Sequence, residues 1–574
     1  MMSNTYSIST LFPMCFKNEK MKNKLLILLI FAFGLPSAHC QRDFFKDKKQ
    51  FALSDTLRGM LSPARTCFDV TFYDLQIRVD IPKRSIAGFN EMTFQAVRAF
   101  DSLQLDLFAN LKIDKIIFEN KSLKFKRLHN TFWVYFSKTV PQRTVGKLKI
   151  EYHGTPIIAK NAPWDGGFTW KKDAAGKPWF AVSCEGIGAS LWWPNKDHLS
   201  DEPDSMSISV SVPNDLKAVC NGNLRQISED TFGYKKYQWF VSYPINNYNV
   251  TLNVADYHHF DDTYTAKDGS KLNLDYYVLK ENAAKAATQF QQTKPMLACY
   301  EKYLGKYPFW RDGYALVETP YLGMEHQSAI AYGNQYMRGY LGGMIPADMN
   351  WDYIIVHESG HEYWGNAVSC KDHTDMWIHE GFTTYLESLY VEETMSYQDA
   401  LRYLANQKMM IEGLQPLIGP ADVNFSPTSD IYFKGTWMIH TLRHSIGNDK
   451  LFFDMFKALY HQFAYKTTST QEVIQFISTY LKKDYAPFFE QYLYQVKMPI
   501  LQYKLKKTWQ GLEVSYRWET DVKGFEMPIR FGQASAYKTV SATNEWSKTV
   551  IKGLKAANFA VATELFYIET KNID

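Results

Sequence analysis

The chain predicts a multidomain α+β fold arranged as strands, then helices, then strands. Three observations carry this. Its 574 residues exceed what one hydrophobic core usually fills and suggest roughly two to four domains. Alternation of apolar and polar residues dominates up to about residue 260 and returns after about residue 499. Between them, longer stretches carry apolar residues at helical spacing. The composition, 46% hydrophobic and 22% charged, is that of a globular protein. A net charge of +4 with no long basic run predicts no nucleic-acid partner. The 16% aromatic share suits β-rich packing and aromatic-lined clefts.

Residues 1–40 form a signal region. Lys20, Lys22 and Lys24 precede an apolar run, Leu25 to Phe33, and the small residues Pro36, Ser37 and Ala38 follow. That order is an export signal, and its apolar core is too short to span a membrane comfortably. Met21 would give such a signal a normal length, so either Met1 or Met21 is the start. The mature chain is expected in the periplasm or outside the cell. Cys40 could be lipidated, but His39 directly before it disfavours a lipoprotein. No later run of eighteen apolar residues appears, so no integral span is expected in the mature chain.

Residues 41–62 are polar and charged, a leader or short helix. An N-terminal β domain follows over 63–260, with strands at QIRVDI, MTFQAV, LQLDL, FWVYF, KLKIEY, ISVSV and YNVTLNV. Helices dominate 261–498 after an opening strand, LNLDYYVL. Glu281 to Gly305 reads as a helix that Pro295 kinks or breaks, and YALVETP as a strand. Residues 499–574 return to strands, LQYKL, LEVSYRW, MPIRFG and ELFYIET, enough for a small β-sandwich. The seven cysteines show no metal-knuckle or disulfide spacing and are expected to be mostly buried single thiols.

The strongest chemical signal is His357-Glu358-Ser359-Gly360-His361, with Glu380 after eighteen intervening residues. On a helix, residues four apart project from one face, so both imidazoles can reach one ion. Glu358 is turned about 100° from His357 and can act beside the ion without ligating it. Glu380 falls in MWIHEGFTTYLESLYVEE, whose Ile378, Phe382, Tyr385, Leu386, Leu389 and Tyr390 form a buried helical stripe. A carboxylate inside that stripe needs a partner, which a metal supplies. His357, His361 and Glu380 are three ligands with a fourth position open, the pattern of catalytic zinc. One zinc ion is therefore expected.

These motifs resemble the zinc-dependent gluzincin aminopeptidases of the aminopeptidase N and leukotriene hydrolase type. Leu322-Gly323-Met324-Glu325-His326 is similar to that family's Gly-Ala-Met-Glu-Asn exopeptidase motif. Met324 and Glu325 match; Leu322, Gly323 and His326 depart from it. Ser183 to Pro203 is similar to the family segment with a Gln or Glu near an aromatic-Pro pair, which points to Glu185. Tyr432-Phe433-Lys434-Gly435 is similar to the family's Tyr-x-Lys-Gly. The resemblance implies a saddle-like N-terminal sheet and a thermolysin-like, mostly helical catalytic domain. The family's large C-terminal helical domain is not expected, which would leave the cleft open to longer peptides.

The chemistry implied is removal of N-terminal residues from oligopeptides. Glu358 is the general base and Tyr432 the donor to the oxyanion. Glu325 and Glu185 hold the substrate ammonium, while Gly323 and Met324 contact substrate. His326 can titrate and so bears on the pH optimum. Three other readings stand beside this one. A thermolysin-type endopeptidase shares the metal chemistry but has no use for an amine anchor. A non-catalytic zinc- or peptide-binding homologue has no need of Glu358 and Tyr432. Epoxide hydrolysis, as in the leukotriene hydrolase branch, shares the zinc site.

Overall fold

The computed structural model describes residues 51–534 and 536–574. The signal region 1–40, both candidate starts, Cys15, Cys40 and residues 41–50 of the leader lie outside the described residues. The remaining leader holds helix α1, Leu53–Gly59.

The strand-rich region is built on an eight-stranded sheet. Its centre is β1 (Phe68–Asp80), β2 (Ser85–Ala96) and β3 (Val145–Gly154), consecutive antiparallel neighbours. The alternation in β1 explains its placement: Leu75, Ile77 and Val79 are buried, whereas Gln76, Arg78 and Asp80 are partly exposed. Strand β4 (Pro178–Ser183) belongs to a separate four-stranded sheet and delivers the chain directly to Glu185. Strand β5 (Ser205–Pro213) returns parallel to β1, with Ile208 opposite Leu75.

The YNVTLNV run departs from the expected strand. Asn247–Asn249 is a single tight turn, and a strand forms only at Asn253–Ala255. The Asn246 side chain accepts from the Tyr248 amide and so competes with ladder pairing.

A five-stranded sheet opens the helical region. It includes β6 (Lys271–Val278), which leads into helix α2 (Thr293–Tyr303). Helical structure runs almost unbroken from Lys280 to Tyr303, with tighter turns at both Lys280–Asn282 and Phe290–Gln292. The expected break falls one turn before Pro295: the tight turn Phe290–Gln292 separates Ala283–Gln289 from α2 and holds Gln291, whose carbonyl Pro295 has no N–H to bond. The sheet continues with β7 (Tyr314–Glu318), β8 (Gly323–Met324) and β9 (Ile330–Tyr332), and β8 is its edge. Among the helices that follow, three carry the site: α3 (Tyr353–Gly360), α4 (Trp377–Thr394) and α5 (Asp430–Ile446).

The last region pairs a four-stranded and a three-stranded sheet, with Tyr516 of one meeting Phe531 of the other at 5.1 Å between ring centroids. This is the small β-sandwich. ELFYIET is a strand only from Glu569. Leu565 to Ile568 are four consecutive buried residues, a run that turns into the core instead of alternating between two faces. The five described cysteines, Cys67, Cys184, Cys220, Cys299 and Cys370, are free and buried. No helix among the described residues is long and apolar enough to cross a membrane.

Candidate active site

Helix α3 starts because Asp352 caps it, accepting from the amides of Ile354 at 3.0 Å and Ile355 at 3.4 Å. Its two histidines meet at one point, with His357 Nε2 and His361 Nε2 3.1 Å apart. Glu380, in the first turn of α4, brings Oε2 to 3.6 Å and 3.2 Å from those nitrogens. All three side chains are buried.

Two glycines explain how α4 and α5 approach closely enough to assemble this site. A Cβ on Gly381 would lie 3.2 Å from Gly435 Cα, and one on Gly435 would lie 3.0 Å from Gly381 Cα. The Gly of Glu-Gly-Phe and the Gly of Tyr-x-Lys-Gly are thus one contact. It places Tyr432, one turn before Gly435, near Glu380, one residue before Gly381. The Tyr432 ring stacks on His357 at 5.9 Å between centroids.

The residues present fit a divalent metal. His357 Nδ1 donates to Glu387 Oε1 at 2.6 Å, and His361 Nδ1 donates to the Trp364 carbonyl at 2.9 Å. Each ring therefore carries its hydrogen on Nδ1 and turns the Nε2 lone pair inward. Two lone pairs and a carboxylate then face one another at 3.1 to 3.6 Å, an arrangement that demands positive charge. Glu380 Oε2 is buried and has no hydrogen-bond donor. A tetrahedral ion with bonds of about 2.0 Å separates its ligand atoms by about 3.3 Å, close to this spacing. The charges around these groups make the same demand. Burial opposes charge on His357, but the Glu380 and Glu387 carboxylates hold it well above the usual imidazole range. His361 is raised by Glu380 and Glu325 despite its burial. Burial also opposes the Glu380 charge, and the two imidazoles still hold it far below the usual carboxylate range.

Glu358 lies on the neighbouring face of α3, and burial pushes its carboxyl up to about 8. It fills the space where a Cβ on Gly323 would come within 2.6 Å of its Oε1. The departure of Gly323 from the family's Ala is thus a matching of shapes between β8 and Glu358. Burial, with the Glu380 charge adding to it, holds Tyr432 well above the usual phenol range, so its hydroxyl remains a donor.

The expected amine-binding carboxylates stand beside this cluster. Glu325 is buried, and its Oε1 accepts from the Tyr248 hydroxyl at 3.1 Å. Carboxylate oxygens of Glu325 and Glu358 and a ring nitrogen of His361 all lie within 4.8 Å of one another. Glu185 is partly exposed on the loop after β4. Desolvation, and then the charges of Glu325, Glu380 and Glu358, push its carboxyl well above the usual range. Met324 is buried. His326 is fully buried with neither ring nitrogen paired, and burial lowers it to about 3. It is neutral throughout the ordinary pH range, so the expected bearing on the pH optimum is not supported.

Sequence reasoning missed Glu387, Tyr248 and Thr383. Glu387 orients His357 and itself accepts from Tyr403 at 2.5 Å and Gln407 at 2.9 Å. Its signal was visible: seven residues after Glu380, it lies two turns along the same helical face. Thr383 donates to the Trp364 carbonyl at 3.1 Å and sits 3.2 Å from His361 Nδ1. Tyr248 carried no local signal, since it arrives from another region of the chain.

Residues 288–492 match the Peptidase family M1 domain. The chain is 25% identical to a leukotriene A-4 hydrolase of Xenopus laevis over 443 residues, 72% of this chain and 69% of that protein. It is 23% identical to a leucine aminopeptidase 2 of Lodderomyces elongisporus over 494 residues, covering 77% and 72%. Among solved structures, it resembles an M1 zinc metallopeptidase of Deinococcus radiodurans in a variant bound to a Tyr-Ser-Ala substrate. That match has a TM-score of 0.64 at 20% identity, covering 78% of this chain and 98% of the other.

Proposed function

We propose that this chain, which belongs to the gluzincin aminopeptidase family of zinc peptidases, removes single residues from the free amino ends of oligopeptides. One observation carries the exopeptidase reading: the Glu325 carboxylate lies within 4.8 Å of both Glu358 and a ring nitrogen of His361. The α-nitrogen of a residue and its own carbonyl carbon are about 2.5 Å apart. An ammonium held by Glu325 therefore brings the first peptide carbonyl, and no later one, to Glu358 and the metal cluster.

His357, His361 and Glu380 would hold one zinc ion, which when bound supplies a Lewis acid that polarises the scissile carbonyl and acidifies water. Glu358 takes the proton of the attacking water and delivers it to the leaving amine. Burial holds this carboxyl up to about 8, and a nearby cation pulls it back toward the basic form the reaction needs. Tyr432 donates its hydroxyl to the oxyanion that develops at the carbonyl oxygen. The edge strand β8 offers unpaired backbone groups along which a substrate strand can lie, with Gly323 and Met324 at the contact. Glu185 joins Glu325 in receiving the ammonium.

The basic, apolar and small-residue order of residues 20–40 supports export of the chain to the periplasm or beyond. The test of function is a panel of aminoacyl-arylamides with free and acetylated amines, with and without chelator. Turnover of free-amine substrates alone, abolished by chelation, is expected. Internal cleavage of acetylated peptides would favour an endopeptidase.

A further inference from the structure

Residues 51–62 take no part in the chemistry above, yet they touch two segments that lead to candidate site residues. One is the Glu185 loop. Gly186 and Gly188 flank Ile187 with φ of +72° and +94°, backbone that only glycine adopts freely, and the loop's own bonds run from the Ile187 amide to the Glu185 carbonyl and from the Gly188 amide to the Cys184 carbonyl, both at 2.8 Å. Arg58 ties it. Its Nη2 donates to the Ile187 carbonyl and pairs with Asp197 Oδ2 at 3.1 Å. Asp197 in turn accepts from the Ala189 amide at 3.2 Å and the Ser190 amide at 3.0 Å. The guanidinium thus holds the stretch that follows Glu185, directly at Ile187 and through Asp197 at Ala189 and Ser190. It is 7% exposed, so solvent weakens the pair little. Gly188 has no room for a Cβ, which would run into Arg58 and Asp197.

The other is the segment that leads into α5 and Tyr432. The Asp55 carbonyl accepts from the Asn424 amide at 3.1 Å, and the Phe51 ring meets Phe425 edge-on at 6.2 Å. Gly59 packs so tightly on the Val423–Asn424 backbone that no Cβ would fit. The Asn424 side chain reaches His373, just ahead of α4, at 2.9 Å. From beneath, Arg65 and Gln104 both donate to the Leu57 carbonyl, fixing α1 to the strand-rich region.

We infer that residues 51–62 are a strap that holds the Glu185 loop in its amine-binding position, with Arg58 as the positioning residue. The inference rests on reading Glu185 as an amine anchor. It assigns to the start of the described chain a share in selecting substrates by their free amino end.

The test compares the full chain with Arg58→Ala, Arg58→Lys, Glu185→Ala and the double variant Arg58→Ala/Glu185→Ala on a free-amine arylamide. Arg58→Ala is expected to raise KM about tenfold while kcat changes less than about twofold. Arg58→Lys, which keeps one charged donor, should restore part of the loss. In the Glu185→Ala background, Arg58→Ala should add less than about twofold, because residues acting as a unit are not additive. An unchanged KM in Arg58→Ala overturns the strap, as does the same factor in both backgrounds or a loss confined to kcat. If Arg58→Ala does not fold, Arg58→Lys decides: a smaller rise in KM supports the strap and none overturns it. Glu185→Ala separates the two readings. A raised KM there with a flat Arg58→Ala sinks the strap alone, whereas no change in Glu185→Ala sinks the anchor and the strap together.

Discussion

The metal cluster and the amine-binding lip stand side by side, Glu325 within 4.8 Å of Glu358 and His361, but are built in opposite ways. The cluster stands on two helices, its ligands four residues apart on α3 and in the first turn of α4, each imidazole fixed by an acceptor behind it. The lip stands on an edge strand and a glycine-flanked loop, and its partners Tyr248 and Arg58 come from distant segments. The cluster fixes chemistry, which tolerates little displacement. The lip fixes which end of a peptide enters, which a few hydrogen bonds can adjust. Substitutions in the first region should therefore strike kcat, metal retention or folding, and those in the second should strike KM.

The largest effect tests the cluster. Glu358→Gln keeps shape and burial but removes the base, and kcat should fall about 10²- to 10⁴-fold with metal content unchanged. Metal analysis beside steady-state kinetics checks this; loss of metal would mean that Glu358 supports the ligands. Next is a stability effect at the cap of α3. Burial raises Asp352 from 3.8 to about 6, despite five hydrogen-bond donors. A raised carboxyl favours the protonated folded state, so its contribution is full below pH 3.8 and is lost as pH rises through about 6. Asp352→Asn retains the cap and cannot titrate. Its unfolding free energy, compared with that of the parent by denaturant titration at pH 4 and pH 7, should change less across that range by up to about 3 kcal/mol. Parallel pH profiles would show that Asp352 is not the group responsible.

Glu387→Gln comes third. It leaves the three ligands in place but weakens the acceptor behind His357, and metal affinity should fall about 10- to 100-fold. Competition with a chelator of known strength measures it. An unchanged affinity would mean that Tyr353, whose hydroxyl lies 3.3 Å from His357 Nδ1, suffices to hold the ring.

How legible each region was follows from the same contrast. The cluster was readable because helix geometry converts spacing directly into proximity: His357 to His361, and Glu380 within an apolar stripe. Even the missed Glu387, seven residues on, lies on the same helical face as Glu380. The lip was readable only through resemblance, since nothing local to Glu185 or Glu325 says that they converge. Tyr248 was placed in an expected strand, YNVTLNV, where the side chain of Asn246 just ahead of it instead caps a turn. The gross order of strands, helices and strands was legible from periodicity. The edge position of β8 was not, because a two-residue strand carries no period.

The smallest effect is the sharpest test of the contrast. The Tyr248 hydroxyl donates to Glu325 Oε1 at 3.1 Å, inside the protein. Tyr248→Phe removes this bond with almost no change in volume. Glu325, whose carboxyl burial already raises, then loses the group that aims it and helps keep it ionised, and a hydrogen bond to a charged group contributes about 1.5 to 3 kcal/mol. Part of that loss returns when the substrate ammonium takes the freed lone pair, so KM for free-amine substrates should rise only about threefold to tenfold. Glu358, Tyr432 and the three ligands are untouched, so kcat and metal content should hold. Such a split would mean that the lip sets affinity separately from the cluster. A fall in kcat equal to the rise in KM would mean that aiming the ammonium also aims the carbonyl, and that the two regions act as one.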